Sequence, residues 1–321
     1  MVHKEKPRRL ADHACYGLFV AAAYGVVSVT ITLFNKAVFS YYEFKFPITL
    51  FIAQMCFSLL FVTILKFSFP DKYGFPITLT MSKKLLPMAL GWVTYGISGV
   101  IALKYLNVPM FSAFRRFTTI MVMFGEYKLR NRLPPRNQQA AVVVMCIGAA
   151  IAGVTDITYS LPGYCWVITC AISTAVYLLF IEKLGKESGL SDLALLFYNN
   201  MLSMPFMLVA LLLSGELYTV PLYPRLYDLD FQVFFVVSAL QAFFLNFLIF
   251  LCTRVNSPLV TSVTGTVKDL VTNALGMTLF GDFPFNPPNF LSICVCFSGS
   301  VWYSRLKYLA NQPAKPSQDS K

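Results

Sequence analysis

The chain has 321 residues, of which 57% are apolar and only 13% are charged, with a formal charge of +11. Soluble domains carry charge on about a quarter of their residues, so this balance excludes an ordinary soluble protein and describes a membrane protein. A nucleic-acid partner is excluded by where the charge lies: most of the 26 basic residues fall in polar connections on one side of the membrane.

Ten mostly apolar runs follow one another, each long enough to cross about 30 Å of hydrocarbon as a helix. They cover 13–41, 46–66, 84–103, 107–126, 138–157, 162–182, 191–213, 231–252, 258–280 and 288–305. The leader HKEKPRR is basic, and the first span is too long for a signal peptide, so it is expected to stay as a helix. Within it Tyr24 and Asn35 are nearly three whole turns apart and share a face, and Lys36 follows. Lys36 has two readings, a cavity cation or a side chain snorkelling to the interface near YYEFKF.

MSKK precedes the third span, and the fourth opens with NVPMFSAFRRF, which puts Arg115 and Arg116 inside an apolar stretch. Adjacent helical residues point about 100° apart, so the two arginines cannot share one direction. One is expected to face a cavity, with Arg115 the choice, and the other to brace the helix. The basic EYKLRNRLPPR closes that span. Span seven carries LLFYNNML, whose Tyr198, Asn199 and Asn200 need hydrogen-bond partners in hydrocarbon, either from a neighbouring helix or from a ligand. In VNSPLVTSVTGTVKDL, leading into span nine, Thr264 and Lys268 share a face by i, i+4 spacing. Asp269 is the adjacent acid, though neighbouring helix positions do not face one another.

The basic MSKK and EYKLRNRLPPR segments lie on the N-terminal side, whereas the other side holds little beyond Lys45, Lys104 and Arg225. Positive charge gathers on the cytosolic side, so both termini are expected in the cytosol. The Asn-x-Pro at Asn107 recurs at Asn256, half a chain later, in the fourth and ninth spans. Asn-x-Pro is also ordinary helix-start chemistry. Read as a repeat, it divides the chain into 1–157 and 158–321, each with five helices, and an odd number turns the second copy upside down. The expected fold is therefore an all-α membrane protein of ten transmembrane helices in two inverted five-helix repeats forming one integrated domain.

Basic groups in the bilayer each cost a few kcal/mol, and acidic partners are scarce, so the interior is expected to attract an anion. A ligand with phosphates for the cations and a base for the aromatic and amide groups would use the whole set.

At this point FNK, NVPMFSAFRRF, LLFYNN, LCTRVNSPLVTSVTGTVKD and FGDFPFNPPNF resemble the motifs of the nucleotide-sugar transporters, within the drug/metabolite transporter superfamily. The resemblance runs through nearly all ten spans. It implies exchange of a cytosolic nucleotide sugar for a lumenal nucleoside monophosphate across a Golgi or endoplasmic-reticulum membrane. It implies base or ribose contacts for Tyr198, Asn199 and Asn200, a phosphate or sugar contact for Lys268, and a nucleotide-facing Tyr24. GDP-mannose carriers pair FYNN with GALNK, whereas this chain has TGTVK. That departure favours a UDP-sugar such as UDP-N-acetylglucosamine or UDP-glucuronate, with GDP-mannose as the alternative and an organic-phosphate carrier behind it.

An enzyme is disfavoured: the two histidines, His3 and His13, lie near the N-terminus, and no paired carboxylates or nucleophile–base motif appears. No cofactor is implied. The eight cysteines sit almost wholly in apolar runs without a CxxC pair, which argues against zinc and disulfides. A homodimer is compatible with the sequence, which does not set the oligomeric state.

Overall fold

A computed structural model describes residues 5–106, 108–131, 133–154, 160–265, 267–268, 271 and 287–310. All secondary structure among them is helical. The main helices are α1 (Glu5–Lys36), α2 (Pro47–Ser68), α3 (Leu79–Tyr105), α4 (Val108–Phe114), α5 (Phe117–Arg130), α6 (Arg136–Val154), α7 (Leu161–Ser188), α8 (Asp192–Ser214), α9 (Leu229–Val255) and α10 (Pro287–Ala310). A further helical stretch occupies 258–265, 267 and 268, between α9 and α10.

Local chemistry sets the ends. Thr78, Ser160 and Ser191 cap α3, α7 and α8, each accepting a hydrogen bond from the backbone N–H three residues on. Gly189 and Gly215 close α7 and α8 with φ of 65° and 74°, a conformation that costs glycine nothing. Helical hydrogen bonds satisfy the backbone inside each span, which is what hydrocarbon demands.

Six helices among the described residues are long and apolar enough to cross a membrane: Cys15–Phe39, Pro47–Ser68, Leu79–Ala102, Leu161–Ser188, Asp192–Ser214 and Leu229–Val255. Phe290–Tyr303 is a shorter apolar helix. The other expected spans differ for identifiable reasons. Span 107–126 is divided at Arg115–Arg116, the helix α6 over most of 138–157 opens on the polar Arg136-Asn137-Gln138-Gln139, and 258–280 lies largely outside the described residues. The chain is an all-helical membrane protein.

The packing of the helices has a recurring pattern. α3 packs along α7 as α1 packs along α9, and α2 lies on α9 as α8 lies on α3. α2 also meets α8, and α6 runs against α10. The α6–α10 crossing is close enough to require glycine. A Cβ on Gly148 would lie 2.6 Å from the Cys296 backbone nitrogen, and one on Gly299 would lie 2.9 Å from the Ala141 carbonyl oxygen. Small residues let two backbones approach, which is how helices gain contact in lipid. Gly148→Ala is therefore expected to force the pair apart and lower stability by about 1–3 kcal/mol. A detergent melting curve checks this, and an unchanged midpoint would mean that the crossing relaxes without cost.

Candidate functional site

The chain direction of α5 is set by a break. α4 stops at Phe114, and Arg115 and Arg116 form a turn before the helix resumes. Across it the N–H groups of Arg116, Thr118 and Thr119 reach carbonyls only three residues back, at 3.0, 3.1 and 2.9 Å. This tighter winding replaces the single continuous helix expected over 107–126. It also aims the arginines apart. The Arg115 guanidinium lies 6.0 Å from the Tyr95 ring centroid on α3 and 5.6 Å from that of Phe111, whereas Arg116 stands 4.9 Å from the Phe297 ring on α10. Arg116 is 2% exposed and Arg115 is half-buried.

Both arginines border a cavity of about 230 Å³ between α1, α2, α3, α7, α9 and the 258–268 stretch. Of the residues expected at a binding site, Tyr24, Asn35, Arg115, Arg116 and Lys268 line it. The described lining thus holds three basic side chains and no acidic one. Its remaining walls are aromatic, with Phe51 and Trp92 packed at 5.1 Å between centroids, aliphatic, or carry hydroxyl and amide groups.

The other expected residues lie elsewhere. The side chain of Lys36 is outside the described residues. Thr264 is half-buried against α1, where its methyl would lie 3.9 Å from a Cβ on Gly25. Tyr198, Asn199 and Asn200 are enclosed in the core around α8. The Tyr198 hydroxyl donates to the Pro76 carbonyl at 2.8 Å and accepts from the Thr78 N–H at 3.0 Å, so it ties α8 to the segment that starts α3. Asn199 Oδ1 and both polar atoms of the Asn200 amide have no hydrogen-bond partner among the described residues. An unmet buried group costs about 1–3 kcal/mol, so these amides are poised to gain from any new partner.

The polar residues of the cavity that sequence reasoning missed include Ser28, Gln54, Tyr177 and Asn246. Gln54 on α2 donates to Asn35 Oδ1 at 3.2 Å and lies 3.1 Å from Ser238 Oγ, while Ser238 donates to the same Asn35 oxygen at 2.6 Å. The Ser28 and Tyr177 hydroxyls are buried without a partner among the described residues. A lone amide inside FFLNFLIF is itself a signal, because a polar group in an apolar span needs a reason.

Side-chain hydrogen bonds tie α5 to the 258–268 stretch and α9 to α8. Glu126 on α5 accepts from the Leu259 N–H at 2.9 Å, and Thr119 meets Ser262 at 3.0 Å. Arg254 joins Asp192 at 2.8 Å and donates to the Leu190 carbonyl at 3.0 Å, which holds the end of α9 to the start of α8. Glu216 caps α2 by accepting from the Ile48 and Thr49 N–H groups at 3.2 and 2.8 Å. No group of three or more His, Cys, Asp or Glu residues able to hold a metal occurs among the described residues.

Comparison with known proteins adds an independent line. No family model matches the chain. A UDP-N-acetylglucosamine transporter of Arabidopsis thaliana is 33% identical over 304 residues, covering 91% of this chain and 88% of that one. A UDP-galactose/UDP-glucose transporter of the same plant is 31% identical over 303 residues, 94% of this chain and 93% of its own. A Dictyostelium discoideum relative is 36% identical over 225 residues, which span 70% of this chain but only 58% of that protein. A solved crystal structure shares the fold with a TM-score of 0.63 at 11% identity, covering 91% of this chain and 97% of that one.

Proposed function

Because this chain belongs to the nucleotide-sugar transporter family, we propose that it exchanges a cytosolic nucleotide sugar for a lumenal nucleoside monophosphate by alternating access. The observation that carries the reading is the cavity between the helices, whose described walls put Arg115, Arg116 and Lys268 near aromatic, amide and hydroxyl groups. Cations suit the diphosphate through charge-assisted hydrogen bonds, and aromatic and amide groups suit a base and a sugar. Two relatives are named for UDP-sugars, and the TGTVK motif departs from the GDP-mannose pattern, so the proposed cargo is a UDP-sugar, UDP-N-acetylglucosamine or UDP-glucuronate. FYNN favours a GDP-sugar instead, which is the alternative cargo.

The site consists of Tyr24, Asn35, Arg115 and Lys268, with Arg116 at its border bracing the helix against Phe297 and with Lys36 and Thr264 as neighbours in sequence on α1 and the 258–268 stretch. Base contact by Tyr198, Asn199 and Asn200 requires a conformation in which α8 turns its buried face toward the cavity. We place the ten helices in two inverted repeats, 1–157 and 158–321. The packing supports this: exchanging α1, α2 and α3 with α7, α8 and α9 carries the α3–α7 contact onto α9–α1 and the α2–α9 contact onto α8–α3. Both termini are assigned to the cytosol by the distribution of Lys and Arg, and the membrane to the Golgi or endoplasmic reticulum. With that orientation the hydrogen bonds of Glu126 and Arg254 hold helix ends together on the cytosolic side.

The test is uptake into proteoliposomes of a panel of UDP-, GDP- and CMP-sugars, with UMP or GMP preloaded inside. UDP-sugar uptake that rises with internal UMP is the expected result. Uptake that ignores the preloaded nucleotide would remove the exchange mechanism, and no uptake of any member would remove the function.

A further inference from the structure

If the cations take the phosphates, as proposed above, the base falls on an uncharged part of the lining, and the seam between α1 and α9 is one such part. Two hydrogen bonds set its register. Ser238 donates to Asn35 at 2.6 Å near one end, and Asn256 Nδ2 donates to the Gly17 carbonyl at 3.0 Å near the other. Gly17 and Asn35 are separated by the same number of residues as Ser238 and Asn256, so the antiparallel helices keep step between the two bonds. Counting inward, Ser28 comes level with Leu245 and Asn246. Tyr24, one turn away on α1, clusters with Val20 and Cys252, and Leu245 and Ile249 of α9 pack against this group.

Ser28, Tyr24, Leu245, Asn246 and Ile249 all line the cavity. Ser28 is 1% exposed and its hydroxyl has no partner among the described residues. Asn246 is half-buried, and no hydrogen bond of its side-chain amide is found among the described residues. An amide and a hydroxyl at one level, beside a tyrosine and two aliphatic side chains, offer a planar ring both hydrogen-bonding groups and apolar surface.

We infer that Asn246, with Ser28 beside it, reads the hydrogen-bonding edge of the nucleobase and so sets which nucleotide the protein accepts. This rests on the nucleotide reading of the cavity. An asparagine offers one donor and one acceptor side by side, which matches the adjacent N3–H donor and O4 acceptor of uracil. Aspartate at the same place offers acceptors only. It suits the two neighbouring donors of guanine, N1–H and N2–H, and sets a carboxylate against uracil O4.

The test measures competition by UMP and GMP against uptake in proteoliposomes for the wild type, Asn246→Asp, Asn246→Ala and the pair Asn199→Ala and Asn200→Ala. Asn246→Asp is expected to move the UMP-to-GMP competition ratio toward GMP by about ten- to a hundredfold, the scale of an unmet polar group in a built site. Asn246→Ala is expected to compress the ratio toward unity. Using the ratio cancels the general loss that a new negative charge near the cations produces in all nucleotides. A ratio unchanged in both Asn246 variants overturns the inference, as does one that moves only in the Asn199 and Asn200 variants. Loss of all nucleotide competition in Asn246→Ala also counts against it, since the phosphate contacts remain. A wild type that no nucleotide competes with fails at the earlier step and defeats the proposed function instead.

Discussion

Lys268→Ala is expected to abolish measurable exchange while the purified protein melts within about 2 °C of the wild type. Lys268 is half-buried and borders the cavity, so its loss leaves no hole in a packed core. What disappears is a cation that a phosphate would meet in a site of low dielectric. Hydrogen bonds to charged groups contribute about 1.5–3 kcal/mol each, or roughly ten- to a hundredfold in affinity. A nucleotide should then no longer raise the melting temperature, because a ligand stabilises only in proportion to its binding. Lys268→Arg keeps the charge but replaces a compact ammonium with a planar fork, and it is expected to restore little transport. Normal uptake by the alanine variant would take Lys268 out of the site.

The second large effect separates two neighbours. Arg116→Ala is expected to lower stability by about 1–3 kcal/mol with or without nucleotide, because a buried guanidinium stacked on Phe297 is removed from between α5 and α10. Arg115→Ala is expected to keep a near-normal melting point and lose transport together with the nucleotide-induced shift. Its guanidinium is half-buried and lies beside the Tyr95 and Phe111 rings, farther from both than Arg116 is from Phe297. Melting with and without UMP, alongside uptake, reads both effects. Indistinguishable behaviour of the two variants would end the division of labour.

The positions of the helices were legible in the sequence because hydrocarbon demands long apolar runs, and expected spans such as 46–66 and 191–213 fall within two residues of α2 and α8. The break at Arg115–Arg116 was not, since neither residue is a helix breaker and the turn coincides with guanidinium groups reaching rings on different helices. Facing was also hidden. A membrane helix can be apolar all round, so periodicity does not tell whether LLFYNN looks at a cavity or at α3, and only the contact of Tyr198 with Pro76 and Thr78 decides it here. Asn35 was found from its shared face with Tyr24. Asn246 and Ser28 are polar without being charged, so neither stands out in an apolar span as a lysine or arginine does.

The two bonds along the α1–α9 seam are about 27 Å apart at the usual helical rise, and they leave no freedom for one helix to slide on the other. Under the proposed alternating access the pair would travel as a single lever, with the joint expected where α5 meets the 258–268 stretch, held by side-chain contacts such as Thr119 with Ser262. A covalent link between α1 and α9 should leave turnover intact, whereas one joining positions 119 and 262 should freeze the protein on one side of its cycle.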